Sequence, residues 1–195
     1  MKVIKKDTLS QIGNSVVNCY LVEEADSLTL IDTGPAFFAK EIIRQSQLLR
    51  KPIGNILLTH SHMDHIGGMD KLISLLPPGP NLLRLPRDGE RVGSLEAIAT
   101  PGHTEDSLSF IDLRNRYLIV GDAMQTAGGV AVAGKIQLLF PFPGLATQNK
   151  REAVKSAEKL LERSPALLAP GHGAMLANPQ KAIRMAIIEA QRALK

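Results

Sequence analysis

Apolar positions along the chain change period several times, and the changes mark out its elements. VVNCYLVEEA and SLTLIDTG are β-rich runs separated by the polar Glu23–Ser27 stretch, and IDTGP closes the second with glycine and proline. From Phe37 to Leu49 the spacing becomes helical, with Phe38, Ile42, Ile43 and Leu49 on one stripe. Pro52 and Gly54 end that helix, and NILLTH follows as a short apolar strand. A helix is predicted over Met69 to Leu76, ended by PPGP. LLRLP and SLEAIATPGH then read as strands, and SLSFIDL with RYLIVGDA as a hairpin turning at Arg114–Asn115. Gln125 to Thr147 is rich in Gly, Ala and Pro and reads as a long loop. Two amphipathic helices, Lys150 to Arg163 and Pro179 to Lys195, enclose the strand ALLAPGHG.

Strand blocks this long without crossover helices argue against a simple doubly wound sheet. The order predicts an α/β layered fold, two sheets packed face to face with helices outside. At 195 residues the chain is expected to form a single domain over 1–195.

Composition narrows the function classes. Hydrophobic content of 44% and charged content of 22% are ordinary for a globular protein. The net charge of +4 is mild, aromatics reach 4%, and no basic stripe is interleaved with stacking rings, so no nucleic acid partner is expected. No apolar run is long enough to cross a bilayer, and MKVIKKDTLSQIGNS lacks the apolar stretch of a signal peptide. Cys19 is the single cysteine and reads as a small core hydrophobe, which fits a reducing compartment. A cytoplasmic protein acting on a small-molecule substrate is expected, with no membrane partner; oligomeric state is not legible.

The five histidines carry the chemistry. His60, His62 and His65 fall with Asp64 inside THSHMDHIGG, four donors from six consecutive residues. Imidazole and carboxylate are the ligands a borderline ion such as zinc prefers. If His60 and His62 end an extended strand, both side chains point to the same side. His103 in ATPGHTEDS, Asp122 in IVGDA and His172 in LAPGHG each follow an apolar strand, with a glycine beside them. A structural zinc site would use four ligands, cysteine among them, whereas seven donors without a suitable thiol point to a pair of ions.

THSHMDH, PGHT, VGDA and PGHG, in this order, resemble the metal-binding motifs of the metallo-β-lactamase superfamily, and IDTG resembles its early aspartate motif. The resemblance implies a four-layer αββα sandwich of two mixed β-sheets flanked by helices. It assigns His60, His62 and His103 to one ion and Asp64, His65 and His172 to a second, with Asp122 bridging and Asp32 orienting a ligand histidine. Two zinc ions are the implied cofactor, with iron or manganese as alternatives. A dizinc-bound hydroxide would then attack a carbonyl carbon, with Asp122 and Asp64 as catalytic carboxylates and Asp64 a candidate proton shuttle.

The bridging-aspartate set is similar to that of glyoxalase II and the lactonases. GDAMQTAGG lacks the tyrosine that lactonases carry after the bridging aspartate, and because the sequence ends at its last core helix, the glutathione-binding extension of glyoxalase II, and with it that enzyme's substrate, is not expected. A small ester-type substrate, a lactone or a thioester, is the expectation. Phe140 and Phe142, in a Pro/Gly context after the Asp122 strand, are candidates for the substrate mouth. Thr104 and Ser107 read as turn caps. A mononuclear iron oxidoreductase similar to persulfide dioxygenases, or a non-catalytic metal-binding module, is the alternative.

Overall fold

The computed structural model describes residues 1–14, 16–77, 82–137 and 141–194, and for Phe142 the backbone alone. Contacts divide the chain into two compact units, Met1–Pro86 and Arg87–Lys195.

In the N-terminal unit five strands follow one another across a single sheet: β1 (Lys2–Lys6), β2 (Leu9–Gly13), β3 (Asn18–Glu23), β4 (Leu28–Ile31) and β5 (Ile53–Leu57). The first four pair antiparallel through tight turns, while β5 lies parallel to β4. A parallel neighbour requires a crossover. The 3-10 turn Ala36–Phe38 and helix α1 (Ala39–Leu49) supply it. Phe38 and Ile42 from that crossover are buried against Cys19, Leu21, Leu28 and Leu30, together with Leu72. Each such side chain contributes about 1.5–3 kcal/mol by leaving water. Burial also pushes the Cys19 thiol well above its usual range, as expected of a sulfur that packs rather than reacts. Helices α2 (Met63–Ile66) and α3 (Met69–Ile73) complete the unit. The helix expected to run to Leu76 stops at Ile73, before the prolines.

The C-terminal unit is built on a second sheet. Its strands are β6 (Arg91–Val92), β7 (Leu95–Ala99), β8 (Leu108–Asp112), β9 (Tyr117–Gly121), β12 (Leu167–Pro170) and β13 (Leu176–Ala177), in the spatial order β13-β12-β9-β8-β7-β6. Neighbours from β6 to β9 run antiparallel, whereas β9 and β12 are parallel. A separate hairpin, β10 (Met124–Gln125) with β11 (Ala131–Val132), and the short helix α4 (Phe142–Leu145) precede helices α5 (Lys150–Glu162) and α6 (Gln180–Arg192). Ile98, Ile111, Leu118, Val120 and Leu168 of the sheet pack with Ala157 and Leu160 of α5 and Ile183 and Ile187 of α6.

The loop expected over Gln125 to Thr147 is therefore partly ordered. Met124 and Val132 are buried in the C-terminal core, so the two-residue strands are held by packing that small side chains did not advertise. Both sheets are mixed and both carry helices, the α/β class expected. No helix among the described residues is long and apolar enough to cross a membrane.

Candidate metal centre

In the N-terminal unit a single carboxylate organises the histidine-rich segment. Asp32 leaves the end of β4 with a left-handed φ of 59°, a conformation that aspartate tolerates better than most residues. Its Oδ1 accepts from the Thr59 amide at 2.8 Å, and its Oδ2 accepts from the Thr59 hydroxyl at 2.8 Å. His65 Nδ1 lies 2.7 Å from that same Oδ2. A buried carboxylate accepts only, so His65 carries its proton on Nδ1 and its lone pair on Nε2.

Proton counting extends to His60. Thr59 has one hydroxyl proton and gives it to Asp32, so toward His60 Nδ1, 3.1 Å away, it can only accept. His60 is thereby also held with its lone pair on Nε2. That nitrogen stands 3.1 Å from His62 Nδ1. The next two residues of the turn, Thr33 and Gly34, donate backbone amides to the His65 carbonyl at 2.8 and 3.0 Å. IDTG thus holds α2 by both side chain and backbone.

The expected extended strand through His60 and His62 is corrected. β5 ends at Leu57, and His62 is already the N-cap of α2, with ψ of 144°. A bend at Thr59 separates the two histidines from β5, although His62 itself keeps an extended backbone. Asp64, in the first turn of α2, is half-exposed, with Oδ2 3.8 Å from His65 Nε2.

The C-terminal unit gathers its donors by topology. β9 and β12 run parallel, with Pro170 beside Gly121, so the residues after them emerge at the same sheet edge. Asp122 and His172 follow, and His172 Nε2 lies 3.1 Å from Asp122 Oδ2. β7 is antiparallel to β8, itself antiparallel to β9, so β7 also runs toward that edge. Its continuation brings His103 Nε2 to 3.4 Å from the same Oδ2. The His103 turn is seated on α5: Gly102 has φ of 134°, and a Cβ there would collide with the Ala153 backbone. Ser156 Oγ donates to the Pro101 carbonyl at 2.7 Å, and Asn149 N donates to the Gly102 carbonyl at 2.8 Å. Thr104 and Ser107 bond each other across the turn at 2.7 Å.

The donor set fits metal ions. Two ligand atoms held about 2.0–2.1 Å from a tetrahedral ion stand roughly 3.3 Å apart. The spacings His60–His62, His103–Asp122 and His172–Asp122, at 3.1, 3.4 and 3.1 Å, are close to that value. Of the nominated ligands, His60, His62, Asp64 and His65 lie in the N-terminal unit and His103, Asp122 and His172 in the C-terminal unit. Phe140 lies outside the described residues, and Phe142 opens α4 with its side chain outside them. Sequence reasoning missed Thr59; a hydroxyl residue directly before the first histidine is the signal that could have found it.

Comparison with known proteins agrees with this donor chemistry. The family model for the metallo-β-lactamase superfamily matches residues 12–79 and 71–172. The protein YobT of Bacillus subtilis, called uncharacterized, is 42% identical over 90% of this chain and 91% of its own. A hydroxyacylglutathione hydrolase of Legionella pneumophila is 32% identical over 62% of this chain, which spans 52% of that enzyme's length. The solved structure of TTHA1623 in a di-iron-bound form shares the fold, with a TM-score of 0.66, 23% identity and coverage of 88% of this chain and 95% of that one. The chain belongs to the metallo-β-lactamase superfamily, whose members are typically metal-dependent and hydrolytic.

Proposed function

We propose that this protein is a dinuclear metal-dependent hydrolase of a small acyl ester, a thioester or a lactone. By the family resemblance, His60, His62 and His103 would hold one ion and Asp64, His65 and His172 a second, with Asp122 as the shared carboxylate. The observation that carries the proposal is Asp122: a single buried carboxylate oxygen with two imidazole Nε2 atoms at 3.1 and 3.4 Å. Three such groups drawn to one point from three separate loops are costly to assemble unless cations sit among them.

When bound, two divalent ions supply Lewis acidity, bringing the pKa of a coordinated water toward 7 and polarising a carbonyl oxygen. The chain's own residues do the rest. Asp122 offsets repulsion between the two cations. Asp32 keeps His65, and through Thr59 also His60, in the tautomer that presents Nε2. Asp64 is half-exposed, which suits a carboxylate that takes the proton released by the attacking water and passes it to the departing thiolate or alkoxide. The name of the Legionella relative favours an S-acyl thioester among small esters.

The test is metal analysis and a substrate panel on the same sample. Two ions per chain are expected, with turnover of an S-acyl glutathione or a lactone that is lost on chelation and restored by zinc, manganese or iron. Well under two ions per chain, or a flat response to thioesters, lactones, phosphodiesters and β-lactams alike, overturns the reading.

A further inference from the structure

His103 has a partner that neither the motif nor the reading above uses. Its Nδ1 lies 3.1 Å from the hydroxyl of Thr147, a residue 44 positions further along. Thr147 in turn donates its hydroxyl proton to the carbonyl of Pro143 at 2.7 Å. A threonine hydroxyl has one proton, and a carbonyl oxygen can only accept it. Toward the ring, Thr147 is therefore an acceptor. His103 must then carry hydrogen on Nδ1, so that with a metal ion bound Nε2, 3.4 Å from Asp122 Oδ2, would be the coordinating nitrogen.

The acceptor at the end of this relay is itself held in place. Pro143 lies in α4, and the following Gly144 runs so close to the backbone of Lys135 and Ile136 that a Cβ would collide with it. Thr147 is likewise not free to drift: Gln148 N donates to the His103 carbonyl at 3.1 Å, directly ahead of the Asn149 bond to Gly102. The histidine is thus gripped at backbone and ring by one short segment, 147–149.

We propose that Thr147 is a positioning residue for the metal centre. It sets the tautomer and ring angle of His103, and it ties that ligand to α4. The proposal rests on the dinuclear reading for its consequence, metal affinity, but not for its geometry. It parallels the Asp32–Thr59 device of the N-terminal unit, built with a neutral carbonyl where the other has a carboxylate.

Zinc competition against a chromophoric chelator, run on the parent, Thr147→Val and Thr147→Ser, is the first measurement. Valine keeps the shape and removes the hydroxyl. A loss of about 10–100-fold in zinc affinity is expected for valine, as for other partners of ligand histidines, with serine close to the parent. Two-bond proton–nitrogen spectra of the chelator-stripped full chain form the second, and they require no variant. Hydrogen on Nδ1 of His103 is expected in the parent, with a mixture of tautomers in Thr147→Val. No hydrogen on Nδ1 in the parent, or unchanged zinc affinity in the valine variant, overturns the proposal. If the parent hydrolyses nothing, the dinuclear reading fails on its own assay, while the tautomer still decides the role of Thr147.

Discussion

The two units supply their donors by opposite means. The N-terminal unit places four candidates within six residues, and one carboxylate, Asp32, orients two of them, His65 directly and His60 through Thr59. The C-terminal unit draws three candidates from loops that follow β7, β9 and β12, so sheet register does the gathering and α5 the seating. The first arrangement depends on a few side-chain bonds and should fail when one is cut. The second depends on the backbone and should fail when packing far from any donor is disturbed.

The hardest way to break the contrast is to remove what the two halves would share. Asp122→Asn keeps the shape but loses the charge, and it should lower metal loading by more than the ~100-fold typical of outer partners, with hydrolysis lost in parallel. Stripping the metals from the parent should lower its unfolding free energy by about 4 kcal/mol for each site where free metal had stood a thousandfold above Kd; a thermal melt with and without chelator reads this. Asp32→Ala aims at the N-terminal half alone. It leaves the Thr59 amide, the Thr59 hydroxyl and His65 Nδ1 without their acceptor, a loss of about 3 kcal/mol by urea unfolding. Thioester or lactone turnover should fall with it.

Gly102→Ala is the matching cut in the C-terminal half, since it removes no donor atom. The added Cβ meets the Ala153 backbone from a φ that alanine rarely adopts, and about 2 kcal/mol of stability should go. If the register argument holds, metal stoichiometry drops as well, because the His103 turn must lift off α5. Unchanged stoichiometry would show that the turn is more pliant than its packing implies.

The smallest expected effect concerns Asp88, which steadies the end of β7 before the chain enters the His103 turn. Its carboxyl is held below the usual carboxylate range, first by the Ala99 amide and then by Lys159, at 2.7 and 2.9 Å. Ionised Asp88 therefore favours the folded chain. That contribution is fully present above pH ~4 and fades as pH falls through the lowered value. The group is largely exposed, so solvent screening keeps the contribution under ~1 kcal/mol. Lys159→Ala should flatten the acid limb of a stability–pH curve slightly and leave the neutral region almost unchanged.

Legibility followed the same divide. The histidine-rich segment was readable because its chemistry is local, and the strands around Leu21, Leu30 and Ile119 because their apolar runs are dense. The β10–β11 hairpin was hidden, since alanine and glycine carry little periodic signal and only burial of Met124 and Val132 orders it. The strand was read as reaching the first histidines because NILLTH stays apolar one residue past Leu57, where β5 ends.

By itself, then, the sequence determined which residue types could bind metal, their order, and the α/β class, because composition and period are properties of short segments. Only the tertiary structure decided that Asp32 serves two histidines, that Thr147 reaches back over 44 residues to a third, and that Asp122 lies beside both His103 and His172. Those contacts join residues far apart in the chain, and they exist only once strand register and helix seating have brought the segments together.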